Sequence, residues 1–61
     1  MVSLTEKELL AIEDQLNLEE LLVIKYQFYA ELCSDPQLKA QCQQLAAKHQ
    51  AHYDSLLNCL G

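Results

Sequence analysis

The sequence has very few residues of the kinds that make turns. Its 61 residues include one proline, Pro36, and one glycine, Gly61. Turns between strands draw heavily on glycine, proline, asparagine and aspartate, so a fold of several strands is difficult to build from this chain. A phosphate-binding loop is excluded as well, because it needs glycines where the backbone approaches the ligand. The scarcity of turn residues favours long, uninterrupted helices.

Basic residues are also scarce. Four lysines and no arginine stand against nine acidic residues, which gives a formal net charge of −5. Binding to nucleic acid or to an anionic membrane surface needs a basic patch, so neither is expected as a partner. No apolar run reaches the roughly 18 residues that a membrane-spanning helix needs. Charged side chains interrupt the most apolar stretch at Glu19, Glu20, Lys25 and Glu31.

The three cysteines, Cys33, Cys42 and Cys59, are an odd number without a CxxC spacing. The N-terminus has acidic residues where a signal peptide would have basic ones. We therefore expect an intracellular protein, not secreted by a signal peptide, with reduced thiols. Counted from the turn, Cys33 and Cys42 are expected to be offset along the helix axis by about six residues, or roughly 9 Å at helical rise. This offset would strain a disulfide between them.

Helix signals divide the chain into two segments. Thr5 and Glu8 form the T-x-x-E capping box, and residues 6–33 contain neither glycine nor proline. Asp35 is a typical N-cap, while Pro36 suits the first helical position and disfavours helix at the residue before it. The sequence predicts one all-α domain over residues 1–61, an antiparallel helical hairpin. Its helices span about 6–33 and about 36–60, joined by a turn at 34–35.

The apolar pattern predicts that this hairpin does not stand alone. Between residues 18 and 32 the first helix is apolar nearly all round, which is typical of a helix buried on more than one side. The second helix has one ordinary apolar stripe and cannot cover it. Symmetric dimers are the commonest oligomers, so the simplest closure is a homodimer that forms a four-helix bundle. The alternative is an interaction module covered by a different helical protein.

Two polar residues interrupt the apolar stripes. Glu20 lies near Leu16 and Val23 on the first helix, and His49 lies at the centre of the stripe on the second. Both are equally far from the turn in sequence, so an antiparallel hairpin would bring them to one level. We therefore predict a Glu20–His49 contact. Glu13 and His52 would extend this polar layer towards the open end of the hairpin.

Three interpretations of this layer stay open. The simplest is a buried ion pair or hydrogen bond that fixes the register of the helices. The second is a divalent metal site of Glu20, His49 and His52, completed by Glu13 or across a dimer axis. The third, acid–base catalysis, lacks loops that could surround a substrate, so we expect no catalytic residues and no enzyme. Apart from that metal, no cofactor is expected.

Several segments resemble the small spore coat F-like (Coat F) proteins of spore-forming Gram-positive bacteria. They are Glu13-Asp14-Gln15-Leu16, Cys33-Ser34-Asp35-Pro36-Gln37-Leu38-Lys39 and Lys48-His49-Gln50-Ala51-His52-Tyr53. The resemblance implies a ferritin-like hairpin, half of a four-helix unit, with a structural role in sporulation. It further implies an intracellular bacterial location in the spore coat, with other coat proteins as partners.

The ferritin-like pattern has a glutamate on one helix and Glu-x-x-His on the next. Glu20 and His49 match the first glutamate and the histidine, but Ala46 stands where the second glutamate is required. The resemblance therefore implies that a di-iron site would lack its bridging carboxylate. Oxidase and iron-storage activity are not expected.

Overall fold

The computed structural model describes residues 4–60. Two helices, α1 (Glu6–Leu32) and α2 (Pro36–Asn58), make up nearly all of this range, and no strand occurs within it. They pack side by side as an antiparallel hairpin that measures 46 × 16 × 11 Å. The predicted all-α hairpin is confirmed. In the described range, neither helix is both long and apolar enough to cross a membrane.

The start of α1 is fixed by the capping box that the sequence predicts. The Thr5 hydroxyl oxygen accepts a hydrogen bond from the Glu8 backbone N–H at 3.1 Å, and the Glu8 carboxylate accepts one from the Thr5 backbone N–H at 3.1 Å. The Thr5 hydroxyl also donates to Glu8 Oε1 at 2.9 Å. These hydrogen bonds favour the charged form and hold the pKa of Glu8 below its usual value.

The turn is fixed by the cap of α2. Asp35 Oδ1 accepts hydrogen bonds from the backbone N–H groups of Gln37 at 2.8 Å and Leu38 at 3.2 Å. Pro36 occupies the first turn of α2, where its missing N–H costs no hydrogen bond. Because this cap requires an extended backbone at Asp35, the two helices are separated by three residues, 33–35.

Both helices end slightly earlier than predicted. α1 stops at Leu32, because Cys33 is extended (φ −72°, ψ 127°) and only its N–H, bonded to the Tyr29 carbonyl at 3.0 Å, continues the helical pattern. α2 stops at Asn58 and is followed by a turn at residues 59–60. The one glycine of the sequence, Gly61, lies outside the described residues.

The end of α1 brings two thiols together. Cys33 and Cys42 are both free and half-buried. Burial raises the pKa of the Cys42 thiol, and the adjacent Cys33 thiol raises it further by charge repulsion and by a hydrogen bond. The two cysteines, expected to remain thiols because of an offset of about six residues along the helix axis, are free in the structure.

The two helices meet along a narrow seam. Its α1 residues recur at alternating spacings of four and three, which is the repeat of helices that pack at a small crossing angle. They are Ile12, Leu16, Glu19, Val23, Tyr26 and Ala30, faced from α2 by Cys42, Ala46, His49, Tyr53 and Leu56. Only the valine and the two alanines are buried apolar residues. Among the described residues no large side chain is fully buried, so the hairpin has a thin core.

Candidate functional site

A buried glutamate lies in the middle of the seam. Glu19 is 4% exposed and is the one buried charged side chain among residues 4–60. It lies three residues after Leu16 and four before Val23, so the helical repeat turns it towards α2. One turn earlier on α1, the Gln15 side-chain amide donates a hydrogen bond to Glu19 Oε1 at 3.4 Å. The carboxylate is thus held from its own helix as well as from the other.

Two histidines from α2 converge on this carboxylate. His49 Nδ1 lies 3.2 Å from Glu19 Oε2 and 3.3 Å from Oε1, and His52 Nδ1 lies 3.3 Å from Oε2. The histidines are one helical turn apart, so both rings point to the same side of α2. His49 is largely enclosed, whereas the His52 side chain is 50% exposed.

Aromatic contacts fix the orientation of both imidazoles. The His49 ring stacks on Tyr26 with 5.7 Å between ring centroids and 1° between their planes. The His52 ring meets His49 edge to face at 5.6 Å, and Tyr29 meets Tyr26 in the same way at 6.2 Å. These contacts restrict ring rotation, so the two Nδ1 atoms are held towards Glu19.

The electrostatic balance of the site favours an ionised glutamate. Burial by itself raises the pKa of Glu19, because it disfavours the charged carboxylate. The hydrogen bonds and charge attraction from His49 and His52 outweigh burial, and the pKa of Glu19 lies below its usual value. The site therefore presents an anionic carboxylate at neutral pH.

The predicted polar layer exists, but one of its residues was wrong. His49 and His52 occupy the positions expected of them, whereas the carboxylate between the helices belongs to Glu19 and not to Glu20. Glu20 is exposed, and so is Glu13, which does not join the cluster. On a helical wheel, Glu19 and Glu20 lie equally close to the flanking residues of the apolar stripe, Leu16 and Val23. These two neighbours therefore do not distinguish one glutamate from the other. The alternating three-four spacing of the whole stripe, from Ile12 to Ala30, would have selected Glu19.

The cluster has the donor atoms of a metal site. One ligand atom from each of Glu19, His49 and His52 lies within 4.8 Å of the others. Beside it is an open pocket lined by Gln15, Glu19, His52, Ser55 and Leu56. Because this pocket is shallow and bounded by two helices only, it offers a small ion or water a place, but it does not enclose an organic substrate.

Two apolar surfaces flank the seam. The tyrosine face consists of Leu18, Leu22, Tyr26 and Tyr29 from α1 with Leu45 from α2, next to the histidines. The outer stripe lies on the side of α1 away from α2 and consists of Leu10, Leu21, Ile24, Phe28 and Leu32, each more than half exposed. The remaining side of the hairpin is polar and is lined by Glu20, Gln27, Gln43 and Gln50.

No family model, curated protein or solved structure matches the chain. Its function is therefore inferred from the fold and from the geometry of these surfaces and of the cluster.

Proposed function

We propose that the chain is a non-enzymatic structural protein whose hairpins pair into a homodimeric four-helix bundle, the building unit of a larger assembly. The resemblance to spore coat F-like proteins suggests the coat of a bacterial spore as that assembly. The observation that carries the proposal is the apolar surface that one hairpin leaves uncovered. Twelve large apolar side chains are exposed among the described residues.

The size of the uncovered surface fits one partner of similar dimensions. A compact monomer of 7.0 kDa is expected to expose about 4,000 Å², whereas the hairpin exposes 4839 Å². The excess of about 800 Å² equals the area that each partner buries in an interface of standard size. The broad side of the hairpin, 46 × 16 Å, offers nearly that area. A second copy is the partner that always has the same dimensions and the same uncovered face.

The tyrosine face is the side on which a second copy would pack. It receives side chains from both helices, so each helix of one hairpin can contact the other hairpin, as a four-helix bundle requires. Its exposed residues, Leu18, Tyr29 and Leu45, are apolar or aromatic. The opposite side carries Glu20 and three glutamines, which suit contact with water. Pairing through the tyrosine face would also leave the carboxylates of the polar side away from the bundle interior.

The outer stripe gives such a dimer a way to assemble further. It points away from α2, roughly half a turn around α1 from the seam, and would stay uncovered when two tyrosine faces pair. Leu21, Ile24 and Phe28 form its continuous centre. Exposed apolar patches of this kind mark sites of protein association. A dimer would carry two stripes, so contacts between bundles could extend into a layer.

Light scattering after size exclusion tests the dimer. We expect the wild-type chain to elute as a dimer or a larger species. Leu18→Glu, on the tyrosine face, should weaken dimerisation at least about 100-fold, or roughly 2.7 kcal/mol. Ile24→Glu, on the outer stripe, introduces the same charge on the same helix and should leave the dimer intact while removing larger species.

Gln43→Glu on the polar side is the control for added charge and should change neither species. A folded wild-type monomer at every concentration would overturn the proposal, as would equal effects of Leu18→Glu and Ile24→Glu. Co-purification with a different helical protein in place of the dimer would replace it by the interaction-module alternative. For the coat role the measurement is location, since absence of the protein from purified spores would remove that assignment.

A further inference from the structure

We infer that Glu19, His49 and His52 bind one divalent transition-metal ion of the zinc type. The ligands are a carboxylate oxygen of Glu19 and the Nδ1 atoms of the two imidazoles. This site lies within one chain, so the inference does not depend on dimerisation.

The charge of the site calls for a cation. Glu19 is 4% exposed, and its ion-pair partners within the described residues are the two histidines alone. A buried carboxylate is costly unless a positive charge lies beside it. A divalent ion held between the three side chains supplies that positive charge.

The distances already approach those of a tetrahedral site. Zinc binds imidazole nitrogen and carboxylate oxygen at about 2.0–2.2 Å, which places neighbouring ligand atoms about 3.3–3.5 Å apart. The distances from Glu19 Oε2 to the Nδ1 atoms of His49 and His52 are 3.2 and 3.3 Å. The ligand atoms of the two imidazoles lie within 4.8 Å of each other, so the three donors surround one common point.

The donor set selects among metals. Two imidazoles and one carboxylate suit zinc, cobalt, nickel and copper, whereas magnesium and calcium prefer sites made of oxygen atoms. The three protein ligands leave a fourth position, which the open pocket beside His52 and Ser55 exposes to water. Such a position is typical of zinc sites that retain a water molecule.

Neighbouring side chains support the ligands in the manner of metal sites. The Gln15 amide donates a hydrogen bond to Glu19 Oε1, while His52 Nδ1 lies 3.3 Å from Oε2. Tyr26 stacks on His49 and holds its ring in place. Outer partners of this kind orient ligands and strengthen binding. They also distinguish the cluster from a chance meeting of surface side chains.

Metal titration of the reduced, purified chain tests the inference. Zinc should bind at one ion per chain in calorimetry. Cobalt should give the visible absorption of a tetrahedral site without the thiolate-to-metal bands that binding by the three cysteines would produce. His52→Ala removes a half-exposed ligand and should weaken binding by more than the roughly 10–100-fold that loss of an outer partner costs.

Two further variants separate the site from folding. Glu19→Gln keeps the shape of the side chain but removes its charge and replaces one accepting oxygen with an NH2 group that cannot bind a metal ion, so zinc binding should be lost. Glu20→Gln makes the same change one residue along, on an exposed side chain, and should bind as wild type does. Circular dichroism of each variant shows that the hairpin is intact. Absence of zinc binding, thiolate bands with cobalt, or undiminished binding by His52→Ala and Glu19→Gln would each overturn the inference.

Discussion

Two sides of α1 differ in a way that runs against the usual division between core and surface. On the side that packs on α2, the residues of α1 that are buried are a glutamate and two small apolar residues, Glu19, Val23 and Ala30. The outer stripe carries larger apolar residues such as Leu21 and Phe28, and these are more than half exposed. Five large apolar side chains of α1, those of the outer stripe, are thus turned away from α2.

This contrast separates two roles. The small buried residues of the seam, Val23, Ala30 and Ala46, let the helices approach closely while contributing little apolar burial. The outer stripe and the tyrosine face hold most of the apolar area and can stabilise the protein only when another chain covers them. Substitutions in the seam should therefore act on each hairpin, and substitutions outside it should act on association.

The largest effect is expected where the seam is most tightly packed. Ala46→Leu adds three carbon atoms to a site that is 5% exposed, and overpacking of this kind costs about 1–3 kcal/mol. For a domain of this size, each kcal/mol lowers the melting temperature by roughly 4–8 °C. Ala47→Leu makes the same change one residue along, on an exposed position, and should stay within about 0.5 kcal/mol of wild type. Thermal unfolding followed by circular dichroism compares the two, and equal stability would mean that the seam is loosely packed.

A smaller effect should separate two adjacent apolar residues on either side of α1. Val23→Ala removes two methyl groups from a residue that is 8% exposed and should cost about 1–2 kcal/mol. Ile24→Ala acts on a residue that is 56% exposed and should cost under about 0.5 kcal/mol in dilute protein. Chemical denaturation at several protein concentrations makes this comparison.

Concentration is the control in that experiment. The cost of Val23→Ala should be the same at every concentration at which the oligomeric state is unchanged. The cost of Ile24→Ala should grow where larger assemblies form, because the outer stripe is then covered. If the stability cost of Ile24→Ala does not change with protein concentration, the outer stripe takes no part in association. The seam side and the outer side of α1 would then not differ in role.

Most of the fold follows from local signals in the sequence. The capping box at Thr5 and Glu8, the N-cap at Asp35 and the proline after it locate both helix starts, because each depends on side chains within a few residues. The ends of the helices were less accurate, since Cys33 and Cys59 could equally continue a helix. Their termination depends on how the chain crosses to the partner helix and on fraying, which no single residue specifies.

The site was harder to predict, because it depends on the rotation of one helix against another. Counting residues from the turn brought His49 to the right level and the right side of α2. It could not distinguish Glu19 from Glu20, which differ by only 1.5 Å along the helix axis but by about 100° around it.

The cysteines extend the comparison between seam and surface to chemical reactivity, with the smallest expected effect. Cys42 is half-buried in the seam, and its pKa is raised. At about pH 8 a smaller fraction of Cys42 is therefore thiolate than in an unperturbed thiol. Iodoacetamide should alkylate Cys42 severalfold more slowly than the exposed Cys59. The difference between the two alkylation rates should narrow as the pH rises through the raised pKa of Cys42. Cys33→Ser should accelerate alkylation of Cys42, because it removes the neighbouring thiol. Mass spectrometry of timed samples measures each rate. In denaturant the two rates should converge, and equal rates in the folded protein would mean that the seam does not shield Cys42.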